Sequence, residues 1–313
     1  MRQALIIAGP TCSGKSGLAL ALADRLGGTI INADSMQVYR ELRIITARPT
    51  PADEALVPHR LYGVRPAAEP GSVAWWRAAA LREMADARVP ILCGGTGLYL
   101  QSLAQGIADI PEPGPAARAE ARALLSAEGP EALHRRLAAA DPDTAASLRP
   151  SDGQRLARAW EVLRGTGQGL RAWHGAAAAP APFRFKLIQL DPPRDGLRAA
   201  IAARFDAMLA AGAVEEVQKL LVLGLDPSVP AMRAHGVPEL GAYLRGENSL
   251  EEARSRAVLA TGRYVKRQCT WFRNRLLADP PPPTHIIHAR YGSLEQFSER
   301  AREEIAAFVS ETG

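Results

Sequence analysis

Short apolar runs alternate with amphipathic stretches along the first hundred residues. Ala4–Ala8 is uninterrupted apolar sequence, the pattern of a strand buried on both faces of a parallel sheet. Gly17–Arg25, with Leu18, Leu20, Ala21 and Leu22, predicts a helix, and Gly28–Asp34 a second strand that ends in a carboxylate. Arg43–Pro58 has no clear period and reads as a loop with a short helix; His59–Val64 reads as a third strand. Val73–Arg88 predicts an amphipathic helix that can bury Trp76, Leu81 and Met84. Val89–Cys93 is another strand, running into a tight turn at Gly94–Gly97. Strands alternating with helices argue for a parallel sheet covered on both faces.

Two proline-rich stretches, Asp109–Pro115 and Gly175–Pro182, then punctuate the chain. Between them Ala116–Leu125, Pro130–Ala140 and Asp152–Leu163 are helical in pattern and rich in arginine. Strand pattern returns at Phe185–Leu190, followed by helical patterns at Leu197–Gly212, Val214–Leu223, Leu250–Phe272 and Leu294–Val309. The expected organisation is an α/β core from residues 1–110 and 184–313, interrupted by an all-helical insertion at 111–183. No internal repeat is visible.

Composition changes this picture little. With 313 residues, 47% hydrophobic and 23% charged, the chain is an ordinary globular sequence with length for a proper core. Its net charge of +5 fits a polyanion partner only weakly. Lysines are few (Lys15, Lys186, Lys219 and Lys266), and the arginine and alanine bias suits a GC-rich genome. Cys12, Cys93 and Cys269 lie far apart, which suggests neither a disulfide framework nor a zinc site. No stretch is long and apolar enough to span a membrane, and no signal-peptide pattern opens the chain, so a cytoplasmic protein is expected.

The sharpest chemical signal is Gly9-Pro10-Thr11-Cys12-Ser13-Gly14-Lys15-Ser16, which matches G-x-x-x-x-G-K-[ST] between a strand and a helix. In that setting backbone N–H groups and a helix N-terminus face an anion, Lys15 adds a point charge, and Ser16 offers a hydroxyl to Mg²⁺. Ligands of open α/β sheets bind beyond the carboxyl ends of the strands. Asp34 stands at such an end, where it could hold Mg²⁺, take a proton from a nucleophile, or cap the next helix. Thr96, between glycines, suits a leaving-group oxygen but also an ordinary turn. A phosphate loop alone would equally serve a nucleotide or small-molecule kinase, and Leu187–Asp191 resembles the aspartate-bearing strand such enzymes use.

Taken together, the motifs resemble those of the tRNA dimethylallyltransferases, also called tRNA isopentenyltransferases. The resemblance runs through Gly9–Ser16, Asp34–Gln37, Thr46–Pro49, Pro58–His59, Gly94–Thr96 with Leu98–Tyr99, Gln154–Arg158, Asp191–Arg194, Arg204 with Met208, and Lys266–Arg273. It implies a phosphate-loop fold and transfer of a dimethylallyl group from dimethylallyl diphosphate to N6 of adenosine 37, beside the anticodon. The loop would then bind the donor's diphosphate with Mg²⁺, Lys15 and Arg204 would stabilise the leaving group, Thr96 would bond the bridging oxygen, and Asp34 would act as general base. The same resemblance implies tRNA contacts at Asp34-Ser35-Met36-Gln37, at Gln154-Arg155-Leu156-Ala157-Arg158, and at Lys266, Arg267 and Arg273. Arg155 and Arg158 share one helix face, which reads alone as either a solvated surface or an RNA contact; Trp271 and Phe272 read as either RNA stackers or core. The partners expected are dimethylallyl diphosphate and the anticodon stem-loop, met by a monomer with no membrane contact. Two positions depart from the family pattern: Val237 stands where tyrosine usually follows glycine, and Ile45 where glycine precedes Thr46-Ala47. His59 and His174 are expected to be structural.

Overall fold

The computed structural model describes residues 1–173, 179–275, 277–293 and 296–310, and divides them into two compact units. Residues 1–105 with 181–313 form one, and residues 106–180 the other. His174, Gly175–Ala178 of the second proline-rich stretch, and Leu294 lie outside the described residues.

The larger unit is built on a parallel sheet of strand order β3-β2-β4-β1-β5-β6. These strands are β1 (Arg2–Ala8), β2 (Thr29–Asn32), β3 (His59–Arg60), β4 (Pro90–Gly94), β5 (Phe183–Leu190) and β6 (Thr284–Ile287). β1 lies at the centre, pairing Leu5 with Ile91 on one side and with Lys186 on the other. That position explains its unbroken apolar sequence: Leu5 and Ile7 meet one core cluster, while Ala4, Ile6 and Ala8 meet another on the opposite face. The third strand is shorter than its sequence suggests. Leu61 and Gly63 adopt left-handed backbone (φ 64° and 59°), which turns the chain off the sheet edge after Arg60.

Helices α1 (Lys15–Leu26), α2 (Pro51–Leu56), α3 (Val73–Asp86) and α4 (Gly97–Gln105) belong to the first half of this unit. The second half carries α9 (Arg194–Ala210), α10 (Ala213–Val222), α11 (Val237–Leu244), α12 (Leu250–Asn274) and α13 (Glu299–Ser310). Trp76 of α3 is fully buried, stacks on Tyr99 of α4 at 4.3 Å, and donates its indole N–H to the Asn32 carbonyl at 2.7 Å. This contact fixes the carboxyl end of β2, just before Asp34.

The smaller unit is all helical: α5 (Gly114–Ala140), α6 (Pro142–Ala146), α7 (Gly153–Thr166) and α8 (Leu170–Trp173). α5 is interrupted at Gly129 (φ 78°), immediately before Pro130, so two helical patterns appear in its sequence. Leu133, Leu137, Leu156, Ala159 and Trp160 form a separate core.

Candidate active site

The phosphate loop leaves β1 at Gly9 and enters α1 at Lys15. Gly14 is left-handed (φ 88°), and a Cβ there would collide with the Tyr291 carbonyl. Gly9 is held to glycine by packing, since a Cβ would come within 2.8 Å of the Leu190 carbonyl oxygen. Lys15 and Ser16 therefore stand in the first turn of a helix, where N–H groups lack intrahelical partners. The Ser13 hydroxyl is buried without a hydrogen-bond partner among the described residues. Lys15 is half-buried, with its Nζ 3.4 Å from the Pro10 carbonyl. Burial lowers its pKa, the Arg204 guanidinium pushes the same way, and Asp34 opposes them. A desolvated cation without a paired anion is a costly arrangement that an incoming phosphate relieves.

A cavity of about 290 Å³ opens in front of the loop, lined by Lys15, Ser16, Asp34, Gln37, Arg204 and Arg290 among others. A second cavity of about 280 Å³ carries aromatic and apolar groups: Phe205, Met208, His235 and Tyr264. Both are lined by Thr11, Cys12, Asp34, Thr46 and Arg204, so they meet along a common wall. Asp34 lies at that junction. Its backbone is clamped by Asn32, which accepts from the Asp34 N–H at 2.8 Å and donates to its carbonyl at 3.0 Å. Its Oδ1 accepts the Met36 N–H at 2.9 Å, forming a turn, and the next helix begins only at Pro51. Capping of the next helix is thereby removed from the roles open to Asp34. Of the neighbouring Ser35, Met36 and Gln37, the first two line the aromatic cavity and Gln37 the polar one.

Thr96 accepts the Ser35 N–H at 3.0 Å through Oγ1, and its own N–H donates to the Ala33 carbonyl at 3.1 Å. The β2 and β4 strand ends are thus tied together through one hydroxyl. Tyr264 of α12 hydrogen-bonds both Thr96 and Gln268, while burial raises its phenol pKa, with Asp34 adding in the same direction. Gln268, buried on the same helix, accepts from the Thr11 N–H at 2.9 Å and the Thr11 hydroxyl at 3.1 Å, and donates to the Gly95 carbonyl at 3.1 Å. A Cβ at Gly95 would strike the Gln268 amide, which explains the glycine. Neither Tyr264 nor Gln268 stands out in the sequence. The available signal was their i, i+4 spacing with Trp271 one turn on, which puts polar groups on the inward face of α12.

Arg204, from α9, donates to the Thr46 carbonyl at 3.2 Å and reaches the Cys12 thiol at 3.8 Å. Ile45 is accommodated without strain: the N–H groups of Arg43, Ile44 and Ile45 all donate to the Glu216 carboxylate at 2.8–2.9 Å. Its side chain fills the space over Gly236, where a Cβ would come within 2.5 Å of Ile45 Cδ1. His235 packs 5.1 Å from the Tyr264 ring, and burial lowers its pKa, keeping the imidazole neutral near pH 7. His59 contacts Tyr62 and the Val57 carbonyl.

Several residues expected to touch tRNA are otherwise engaged. Leu156 and Ala157 are buried in the core of the helical unit, so their side chains are unavailable to a ligand. Arg155 is exposed and Arg158 half-buried; they pair loosely with Asp152 and Glu161, at 3.4 Å each, and Gln154 is exposed beside them. Phe272 is buried core, and Trp271 packs against Gly97, where a Cβ would overlap the indole. Lys266 and Arg267 are exposed, the latter 5.5 Å over the Tyr264 ring. Arg273 forms a bidentate pair with Asp191, Nε donating to Oδ2 at 3.2 Å and Nη2 to Oδ1 at 3.0 Å. That pair also occupies the carboxylate a kinase of this fold would turn toward Mg²⁺. Among the described residues no group of three or more His, Cys, Asp or Glu side chains could hold a metal by itself. Ser16 on the cavity wall, with phosphate oxygens completing the shell, fits the way Mg²⁺ is usually held.

A phosphate loop on a parallel sheet, facing a cavity with one carboxylate and several cations, defines an enzyme of phosphoanhydride substrates. Family comparisons narrow the class. The IPP transferase model matches residues 37–275 and the isopentenyl transferase model residues 2–71. The tRNA dimethylallyltransferase of Acidiphilium cryptum is 62% identical over 99% of this chain and 95% of its own length; that of Granulibacter bethesdensis is 60% identical over 98% of each. Among solved structures, the tRNA isopentenylpyrophosphate transferase of Bacillus halodurans is 31% identical with a TM-score of 0.68, covering 99% of this chain and 97% of that one. A eukaryotic dimethylallyltransferase acting on tRNA is 25% identical with a TM-score of 0.82, covering 99% and 80%. The chain belongs to the tRNA dimethylallyltransferase family.

Proposed function

We propose that this enzyme transfers the dimethylallyl group of dimethylallyl diphosphate to N6 of adenosine 37 in tRNA, releasing diphosphate. The observation that carries the reading is the pair of joined cavities, one cationic and phosphate-binding, the other aromatic, with Asp34 at their junction. The donor's diphosphate sits against the loop amides, Lys15 and Arg204, and its prenyl carbon points toward the aromatic cavity. An exocyclic adenine amine is a weak nucleophile because its lone pair is delocalised into the ring. In the transfer the N6–carbon bond forms as the carbon–oxygen bond to diphosphate breaks, and Asp34 takes the N6 proton. Lys15 and Arg204 stabilise the charge gathering on the departing oxygens, in a pocket where water is partly excluded. Mg²⁺, held by Ser16 and the phosphates, supplies further neutralisation of that charge when bound.

Thr96 has one hydroxyl proton to give. Its oxygen accepts from the Ser35 amide and its hydroxyl reaches the Ser35 Oγ at 3.4 Å, a long contact that it exchanges for the bridging oxygen when the donor binds. The target base leaves its stack to enter the aromatic cavity, where Tyr264, Phe205 and His235 form the walls. The exposed arginines of the helical unit and Lys266 and Arg267 of α12 bind the backbone of the anticodon stem-loop.

Incubation with dimethylallyl diphosphate, Mg²⁺ and unmodified tRNA, followed by nucleoside mass analysis, should yield dimethylallyl adenosine. Phosphoryl transfer from ATP without a prenylated product would refute the reading in favour of a kinase.

A further inference from the structure

We propose that Arg290 is a third cation of the diphosphate site, delivered by the segment that follows β6. This rests on the donor reading above. The segment crosses the phosphate loop closely: the Tyr291 N–H donates to the Ser13 carbonyl at 2.9 Å, and Arg290 Nε donates to the Cys12 carbonyl at 2.9 Å. Tyr291 is buried in the cluster beneath α1, and its ring lies 3.1 Å from where a Cβ on Gly17 would stand. The backbone at position 290 is therefore fixed on the loop by its neighbour.

The guanidinium is anchored at its root and unused at its tip. Nε is committed to Cys12, while Nη1 and Nη2 keep four N–H donors that meet no carboxylate or other acceptor among the described residues. The side chain lines the same cavity as Lys15, Ser16 and Arg204. Arg204 touches the Cys12 thiol while Arg290 holds the Cys12 carbonyl, so the two arginines straddle one residue of the loop. Arg204 spends part of its fork on the Thr46 carbonyl, which leaves Arg290 the freer of the two. With Lys15, Arg204 and Arg290 against Asp34, the cavity's side chains sum to three positive charges and one negative. A diphosphate ester is a strongly anionic ligand, and an arginine fork matches two of its oxygens at once.

The test compares Arg290→Ala, Arg290→Gln and Arg290→Lys with the full-length enzyme. Calorimetry reads the affinity for inorganic pyrophosphate with Mg²⁺, steady-state kinetics the KM values for donor and tRNA, and thermal melting the fold. Removing the charge should weaken pyrophosphate binding and raise the donor KM by about tenfold or more. Lysine should restore most of that loss, and the tRNA KM should stay within about twofold. The proposal is overturned if the Ala and Gln variants bind pyrophosphate as wild type does. It is equally overturned if all three variants, lysine included, lose binding together with a lowered melting temperature, because Arg290 would then only brace the loop. Failure of the wild-type enzyme itself to bind pyrophosphate would instead overturn the donor reading.

Discussion

Gln268→Leu should damage the diphosphate site from outside it. Gln268 is 4% exposed, and besides its contact with Tyr264 it makes two hydrogen bonds to Thr11 and one to Gly95. Leucine has similar bulk, so the cavity term is small and the loss falls on hydrogen bonding. The Thr11 N–H and the Gly95 carbonyl are both left without their partner, each at about 1–3 kcal/mol, while the Thr11 hydroxyl can rotate. We expect a loss of about 3 kcal/mol in urea unfolding. Thr11 borders both cavities, and displacement of a substrate-positioning group by an ångström can cost about 100-fold, so kcat/KM for the donor should fall on that order. Gln268→Glu sharpens the argument. A carboxylate still accepts from Thr11 but has no proton for the Gly95 carbonyl; once protonated, it donates there. Its pKa is therefore raised in the folded state. Sign follows: a folded protein binding more protons than the unfolded chain gains stability as pH falls, so the variant should be closer to wild type at pH 5 than at pH 8. Wild-type stability together with wild-type kcat/KM in Gln268→Leu would refute the reasoning.

Asp34→Asn keeps an oxygen to accept the Met36 N–H but cannot take a proton; single-turnover prenylation should slow about 10²–10⁴-fold while pyrophosphate affinity changes little. An activity within a few-fold of wild type would remove Asp34 as the base. The lowered pKa of Lys15 makes donor binding pH-dependent: Lys15 loses its proton before an ordinary lysine would, so affinity for dimethylallyl diphosphate should fall with rising pH before the ordinary lysine range is reached. Bound diphosphate favours the ammonium, so titration in buffers of different ionisation enthalpy should show proton uptake. Replacing Arg155 and Arg158 together by Ala should weaken tRNA binding and flatten its salt dependence, with donor affinity unchanged. Both pairs are long, at 3.4 Å, and the exposed one with Asp152 contributes at most about 1 kcal/mol, so the fold should survive; an unchanged tRNA affinity and slope would return both arginines to solvated surface.

What was legible in the sequence follows the range of the interactions involved. β1, the phosphate loop and α1 are specified by adjacent residues: an apolar run, glycines at fixed offsets, and a helical repeat beginning at once. Asp34 was legible as a strand end, yet its local rule, an aspartate before a helix, pointed to a cap that does not form. The short strand β6 carries four residues after a run of prolines, and its edge position needs β5 beside it before Thr284–Ile287 gain a reason to extend. Gln268 and Arg290 were hidden for a stronger reason. Each meets the phosphate loop across more than 250 residues of chain, and no periodicity records such a meeting.

Those two distant contacts bear on how the site works. The loop's anion cradle is set by backbone conformation, and Cys12, at φ 67°, holds a left-handed turn that a non-glycine residue adopts only under constraint. Gln268 fixes the residue before it through the Thr11 N–H, and Arg290 fixes Cys12 itself through its carbonyl. Tyr291 holds the residue after it through the Ser13 carbonyl. Three consecutive loop residues are thus restrained by α12 and by the segment beyond β6. Since α12 also carries Tyr264 and Arg267 into the aromatic cavity, any movement of that helix on binding a base is transmitted to Thr11 through one buried amide. The prediction is specific: in wild type, tRNA should change the affinity for pyrophosphate, and Gln268→Leu should abolish that coupling even where its residual affinity for each ligand can be measured. Coupling that persists in the variant would place the connection elsewhere.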